Sequence, residues 1–479
     1  MSDRSIAGSL ALFSAPAAAA PPAAANPVAA RTRLLLEGPI LATLLRLAAP
    51  NVLNLLAIAG MITFDGLFVG RLGPDALAGV SLAFPFVMLI QHTAASGMGG
   101  GVSSSIARAL GAGKRDVADA LALHAFVLAL ALAAVFSAVL LLGAPFVFRQ
   151  MGGHDATLAA ALAYANVAFG GAVSICMLNL LGSAVRGTGN MSLPAGVIVG
   201  SVAAHILISP VLIFGWGPVS ALGPAGAGWG LVVPFGAGSL VLLAYLRSPR
   251  SLVTLRFRRA SLRWRLFADI LKVGVPGLIN VTLTNLSVVL LTGIAGRLGR
   301  EVAIGYAMGA RLEYILIPLA FGFGTAIVAM VGTNWGAKQY ARAYRIAWTG
   351  GATVGAACAS IGLLVALFPG LWMGLFTSND EIVRIGALYL RIVGPIYGFY
   401  GLGMALYFAT QGFGNVVRTV TANAVRLLVS AGGALVAVTW LDLGTLGLFV
   451  PIAGAFCVYA ALAAAAVVVV KPPAAPTAP

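Results

Sequence analysis

Residues 50–73 read PNVLNLLAIAGMITFDGLFVGRLG, and residues 276–299 read PGLINVTLTNLSVVLLTGIAGRLG. Each stretch is a proline, a mainly apolar run and a Gly-Arg-Leu-Gly turn, so Pro50 and Gly70 return as Pro276 and Gly296, both displaced by 226 (276−50, 296−70). Outward from this pair, Gly111-Ala112 returns as Gly336-Ala337, Tyr164 as Tyr389, and Gly187-Thr188-Gly189-Asn190 as Gly412-Phe413-Gly414-Asn415, all displaced by 225 (336−111, 389−164, 412−187). Five landmarks in order, at offsets differing by one residue, mean a duplicated chain.

Composition says which solvent the repeat faces. The 479 residues are 60% hydrophobic and 9% charged, with a mean hydropathy of +1.00. A soluble domain needs many more charges to cover its surface, whereas lipid accepts Leu, Val, Ala and Phe facing outward. The net charge of +16 is spread over short segments between apolar runs. It forms no continuous basic domain, and nucleic acid is excluded as a partner on that ground. Cys176, Cys358 and Cys457 all fall in apolar runs without metal-like spacing, and they read as small buried hydrophobes.

A helix of about 20 mainly apolar residues crosses a hydrocarbon core. Twelve such windows can be drawn, starting near Leu41, Ala76, Val117, Thr157, Met191 and Gly223, and after an Arg-rich connection near Leu266, Val302, Ala341, Glu381, Val416 and Leu443. The expected fold is therefore an all-α polytopic membrane protein with twelve transmembrane helices in two pseudo-symmetric six-helix bundles. Its expected segments are an Ala/Pro-rich tail over 1–38, bundles over 39–246 and 266–470, an Arg-rich linker over 247–265 and a tail over 471–479. The apolar start of the first tail also resembles a secretion leader. Basic loops stay cytoplasmic. Arg108, Lys114, Arg115, Arg186, Lys338, Arg342, Arg345, Arg418 and the linker arginines all lie in the even-numbered connections, so both termini are expected in the cytoplasm of a cell inner membrane. Arg256 to Arg265 can also hold anionic lipid.

Six spans per half is an even number, so the two copies share one orientation and are related by an axis along the membrane normal. Two such bundles enclose a central cavity that rocking exposes to either side; the alternative is that duplication only builds a large stable bundle. Pro50 and Pro276 are expected to bend their helices, and the 60 glycines let helices approach closely.

The block from Pro50 through Asp65 to Gly73, the Gly111-Ala112 and Gly336-Ala337 signatures, Arg186 to Asn190 and Gln411 to Asn415 together resemble the multidrug and toxic compound extrusion family, over about Leu41 to Val470. The resemblance implies export of amphipathic, often cationic drugs or metabolites in exchange for inward H+ or Na+, with no cofactor and no metal.

Asp65 is the only acid in the interior of the first six spans, where an ionised carboxylate is costly unless paired, hydrated or protonated. It can bind a proton there, or reach water beside Arg71. It matches the family's first-span acid, and Tyr164 matches a tyrosine near that acid or is an interfacial anchor. Where sodium-linked members carry an Asn and an Asp in the fifth span, this chain has His205 and Ser209, and a sixth-span Thr is replaced by Leu231. Losing those oxygens favours H+ over Na+. His205 can titrate or be a satisfied core residue. Glu313 either pairs with Arg311 or lines the substrate cavity, and Asn54 either faces that cavity or bonds a neighbouring helix. Arg426 reads as structural, and His92 and His124 as isolated.

Among rival functions, a flippase for lipid-linked precursors or polysaccharides calls for a more cationic cavity. No HExxH, GxSxG or full Walker A stretch is present, so neither an enzyme nor an ATP-driven pump is expected. The chain is expected to act as a monomer with membrane lipid as its surroundings.

Overall fold

The computed structural model describes residues 27–256 and 261–472, apart from the side chains of residues 27–30 and of Leu55. The described chain is helical, and its only strand-like feature is an isolated bridge between Trp216 and Val219. Eleven helices are long and apolar enough to cross a membrane. A twelfth span consists of Asp155–Gly170 and Ala172–Gly187, bent by 43° at Gly171. In the first half the spans are Ile40–Gly70, Pro74–Gly111, Arg115–Gln150, the bent pair, Ser192–Phe214 and Pro224–Arg247. In the second half they are Trp264–Leu298, Arg300–Gly336, Tyr340–Leu367, Asp380–Phe413, Val417–Thr439 and Gly444–Val469. Every window read from the sequence coincides with one of these. The eighth span is interrupted at Arg311 and Leu312, and the second carries a π-helical turn over Thr93–Met98.

Two segments qualify the boundaries drawn from sequence. Residues 27–37, placed in the leading tail, form the helix Pro27–Glu37. Leu35 is buried, its carbonyl accepts from Asn334 Nδ2 at 3.0 Å, and Arg33 pairs with Glu37 at 2.7 Å. Tertiary anchoring thus orders a short stretch whose composition alone does not. Residues 1–26 and 473–479 of the two tails and 257–260 of the linker lie outside the described residues. The flanks of the linker are tied to the third span, since Asp119 Oδ1 accepts from the Thr254 amide at 2.7 Å and His124 Nε2 from the Arg263 amide at 2.9 Å.

Two apolar cores lie mainly one in each half, with Leu44, Leu47 and Ala48 of the first span packed into the second half's core, while Leu56, Leu142, Leu207 and Val289 stand outward, a surface that only lipid accepts cheaply. The turn glycines of the repeat have matching backbones. Gly73 and Gly299 have φ of 110° and 128°, and Gly189 and Gly414 have 80° and 77°. Gly113 and the residue 225 later, Lys338, have 71° and 61°. L side chains avoid this region, which is why three of these turns use glycine in both copies or one.

The halves meet where the second and eighth spans end, on the Arg-rich side. A Cβ on Gly111 would overlap the Thr333 carbonyl, and a Cβ on Gly336 would overlap the Arg108 carbonyl. The two contacts exchange under the 225-residue offset (336−111, 333−108), so each half offers the same glycine to the same carbonyl of the other. Beside this seam Arg108 forms an ion pair with Asp269 of the seventh span at 2.8 Å.

Gly111→Ala and Gly336→Ala are each expected to destabilise the protein by about 1–3 kcal/mol through overpacking against backbone. Gly60→Ala, whose Cβ meets no atom within 4 Å, should leave the midpoint unchanged or raise it. Thermal unfolding of the purified variants measures this, and equal midpoints for Gly111→Ala and Gly60→Ala would refute the close approach.

Candidate coupling site and central cavity

The first span packs along the fifth, and this brings Asp65 to His205 across 140 residues of sequence. His205 Nε2 lies 2.7 Å from Asp65 Oδ1, and Nδ1 lies 2.7 Å from the Gly230 carbonyl of the sixth span. The imidazole is wholly buried, whereas a quarter of the Asp65 side chain is exposed (0% and 25%). A carbonyl only accepts, so Nδ1 must carry a hydrogen, and the bond from Nε2 to Asp65 then holds one proton that belongs to imidazolium or to carboxylic acid. The pair can take up a second proton through the accessible face of the carboxylate.

The sixth span approaches closely because it is glycine there. A Cβ on Gly230 would stand 2.9 Å from Ser209 Cβ, and a Cβ on Gly228 would stand 3.1 Å from the Tyr164 carbonyl. Ser209, one turn beyond His205, is fully buried and its hydroxyl has no partner. Tyr164 is buried near enough to feel the Asp65 charge, with no hydrogen bond between them. Asp65 does not pair with Arg71; its partner is His205. Leu231 is buried and supplies no oxygen.

The second half holds a different acid against the equivalent tyrosine. Tyr389, 225 residues after Tyr164 (389−164), donates to Glu313 Oε1 at 2.7 Å and lies 3.2 Å from the Tyr397 hydroxyl. Glu313 thus neither pairs with Arg311 nor lines the space between the halves. The reason is the break in the eighth span: Glu313 opens the helix Glu313–Gly336, whose positive end suits a carboxylate, while Arg311 turns to the Phe376 ring. Arg426 is buried, donates to Asn423 Oδ1 at 2.7 Å and lies over the rings of Tyr400, Phe456 and Tyr459.

Between the halves lies a narrow cavity of about 10 Å³, room for one water molecule. Its walls correspond across the repeat, yet they differ in chemistry. Ser96, Ser103 and Ser183 of the first half face the space where Phe321, Val328 and Phe408 stand 225 residues on (321−96, 328−103, 408−183). Arg186 corresponds in the same way to Gln411 (411−186), and no carboxylate lines the cavity among the described residues. Asn54, expected at the cavity or on a neighbouring helix, is buried with its Oδ1 unpartnered. The bond between helices is made instead by Asn51, whose Nδ2 donates to Thr325 Oγ1 on the cavity wall at 2.7 Å. Pro50 and Pro276 sit inside the first and seventh helices, where each removes one helical hydrogen bond.

Sequence reasoning passed over Asn51, used Arg186 as a basic loop residue and as the start of a family motif, and used Tyr389 only as a repeat marker. The available signal was position within the repeat: Arg186 corresponds to the uncharged Gln411, as Asp65 corresponds to Leu291.

The sequence pattern of the MatE family matches residues 50–211 and 276–436. The chain is 25% identical to a FAD transporter of Shewanella oneidensis over 82% of its own length and 87% of that protein. It is 26% identical to the probable multidrug resistance protein NorM of Thermotoga maritima, over 85% and 88%. A MOP superfamily transporter from Pyrococcus furiosus, described as having a binding pocket of reverse polarity, superposes with a TM-score of 0.80 at 26% identity, covering 90% of this chain and 96% of that one. An outward-facing MATE transporter superposes with a TM-score of 0.80 at 25% identity, covering 91% and 97%.

Ser209→Ala removes a buried hydroxyl without a partner, so the thermal midpoint should hold or rise. Gly230→Ala should destabilise the protein by about 1–3 kcal/mol, and so lower the midpoint, by driving a methyl group against Ser209 and displacing the carbonyl that anchors His205. The reverse ranking would mean that the fifth and sixth spans do not pack this way.

Proposed function

The chain belongs to the MatE family, and from that premise we propose that it is a secondary active exporter of amphipathic small molecules, driven by protons rather than Na+ moving inward. It resides in the inner membrane with both termini in the cytoplasm, and its two six-helix bundles, related by an axis along the membrane normal, rock about the cavity between them.

The observation that carries this reading is the Asp65–His205 pair. A hard cation takes several oxygen ligands, and here one Asp65 oxygen is occupied by an imidazole nitrogen, with only the Ser209 hydroxyl nearby on the fifth span. A proton suits the pair better. With one proton between them, carboxylate and imidazolium attract; a second proton leaves a neutral acid against a cation, and the attraction that holds the first span to the fifth weakens. The same helix carries Asn51, whose amide is bonded to the cavity wall through Thr325, next to the hydrogen bond that Pro50 removes. Proton uptake at Asp65 and the packing of the cavity are thereby states of one helix, and proton and cargo need not meet.

The names of the relatives, multidrug resistance and FAD transport, support an organic small molecule as cargo. A flippase for lipid-linked precursors calls for a strongly cationic cavity, and a single arginine, Arg186, stands among the lining residues.

In everted vesicles with an imposed proton gradient, transported substrate should collapse the gradient, and Asp65→Asn should abolish the collapse at unchanged expression. His205→Ala should slow it at least tenfold. Transport that ignores pH and follows Na+ would overturn the ion assignment.

A further inference from the structure

Arg186 is a buried cation without an anion. Its Nη2 donates to Ser183 Oγ at 2.9 Å and weakly to the Asn179 carbonyl at 3.4 Å. A guanidinium has five N–H groups, and its only hydrogen bonds to described residues are made by Nη2. No described carboxylate approaches it within ion-pair distance, whereas buried Glu313 has Tyr389 and Asp65 has His205; Arg426, the other buried arginine without an anion, lies against three aromatic rings, which Arg186 lacks. Across the cavity Gln411 is fully buried, and its side-chain amide lies against the Tyr407 hydroxyl, with no hydrogen bond of ordinary geometry to any other described group. Unmet polar groups in a water-poor space are costly. They persist where another state of the molecule uses them.

A second, independent feature points to the same ligand. On the Arg-rich side a cavity of about 560 Å³ is lined by Lys272, Arg418 and Lys471 together with the rings of Trp335 and Phe413. None of these cations forms an ion pair among the described residues. Gly414, three residues after Gln411, also lines it, and the Arg108 guanidinium lies against Gly414. Asp269, three residues before Lys272, is already held by Arg108. A basic and aromatic surface on the second half thus stands on the side where the second and eighth spans end, and the cavity between the halves is lined by Arg186, Gln411, Phe321 and Phe408. Such a surface concentrates anions and repels cations.

We propose that Arg186 and Gln411 form the anion subsite of the transport cavity, so that the cargo is an aromatic molecule bearing a carboxylate, sulfonate or phosphate rather than a cation. This rests on the export reading above. The guanidinium binds the anionic group with charge-assisted bonds, the Gln411 amide donates to the same group, and the two phenylalanines hold the ring when the bundles part.

Two dyes with the same xanthene ring and opposite charge decide it: carboxyfluorescein and rhodamine 123. Everted vesicles carrying the full chain should accumulate carboxyfluorescein in preference to rhodamine 123 under a proton gradient. Arg186→Gln should raise the KM for carboxyfluorescein about 10- to 100-fold, Arg186→Lys should retain most of the affinity, and Gln411→Leu should cost a few-fold. Gln411→Glu, which sets a negative charge in the same cavity, should exclude carboxyfluorescein while sparing rhodamine 123, and it serves if Arg186→Gln does not fold. Purified Asp65→Asn protein should still bind carboxyfluorescein, which separates loss of coupling from loss of the subsite. Preference for rhodamine 123, or carboxyfluorescein affinity indifferent to Arg186→Gln and Gln411→Glu, overturns the proposal and leaves proton coupling standing. Arg186-dependent translocation of fluorescent phosphatidylglycerol without carboxyfluorescein transport overturns it in favour of a lipid phosphate.

Discussion

A charge inside a bundle that lipid surrounds must find a partner within the bundle, because the solvent outside offers none. That constraint orders the interior of this protein. Asp65 is placed against an imidazole, Glu313 against a tyrosine at a helix N-terminus, and Arg426 against an amide and three aromatic rings. His205, Tyr389 and the rings over Arg426 come from other helices, so these contacts fix how spans sit together. Arg186 bonds only Ser183 and the Asn179 carbonyl of its own helix, and it stands at the cavity between the halves.

The duplication supplies the frame and then departs from it. The tyrosine is kept in both halves at positions 164 and 389, but the acid it accompanies comes from the first span in one half and from the eighth in the other. The glycine–carbonyl contacts at Gly111 and Gly336 are kept in both, since either half must let the other approach to backbone distance. The cavity walls are where the copies differ most: serines and an arginine on one side, phenylalanines and a glutamine on the other. Symmetry is retained where the halves close on each other and abandoned at the cavity walls between them.

The number and placement of the spans were legible in the sequence because hydropathy and length are local, and a bilayer demands both of every span. The repeat was legible because its turns need glycine at fixed places. Pairings between distant helices were not. His205 reads as an isolated histidine until the fifth span is laid beside the first, and Glu313 reads as a neighbour of Arg311 until the helix break turns the two apart. Asn51 and Asn54 are alike in sequence context; only the direction each faces gives the bond to Asn51. The helix Pro27–Glu37 was hidden for the converse reason, since its anchor, Asn334, lies in the other half.

The coupling site and the cavity are separate, and their separation has a physical use. A proton site inside the cavity would compete with a charged cargo for the same space, so binding of one would depend on the charge of the other. Here the Asp65–His205 pair lies among the first, fifth and sixth spans, and Arg186 and Gln411 face the seam between the halves. What joins the two is the first span, paired through Asp65 at one end and tied through Asn51 to the opposite half near Pro50. A single helix that bears on both sites transmits a change in either as a change in its own position, and the sign of the cargo's charge is then free to be set by the cavity alone.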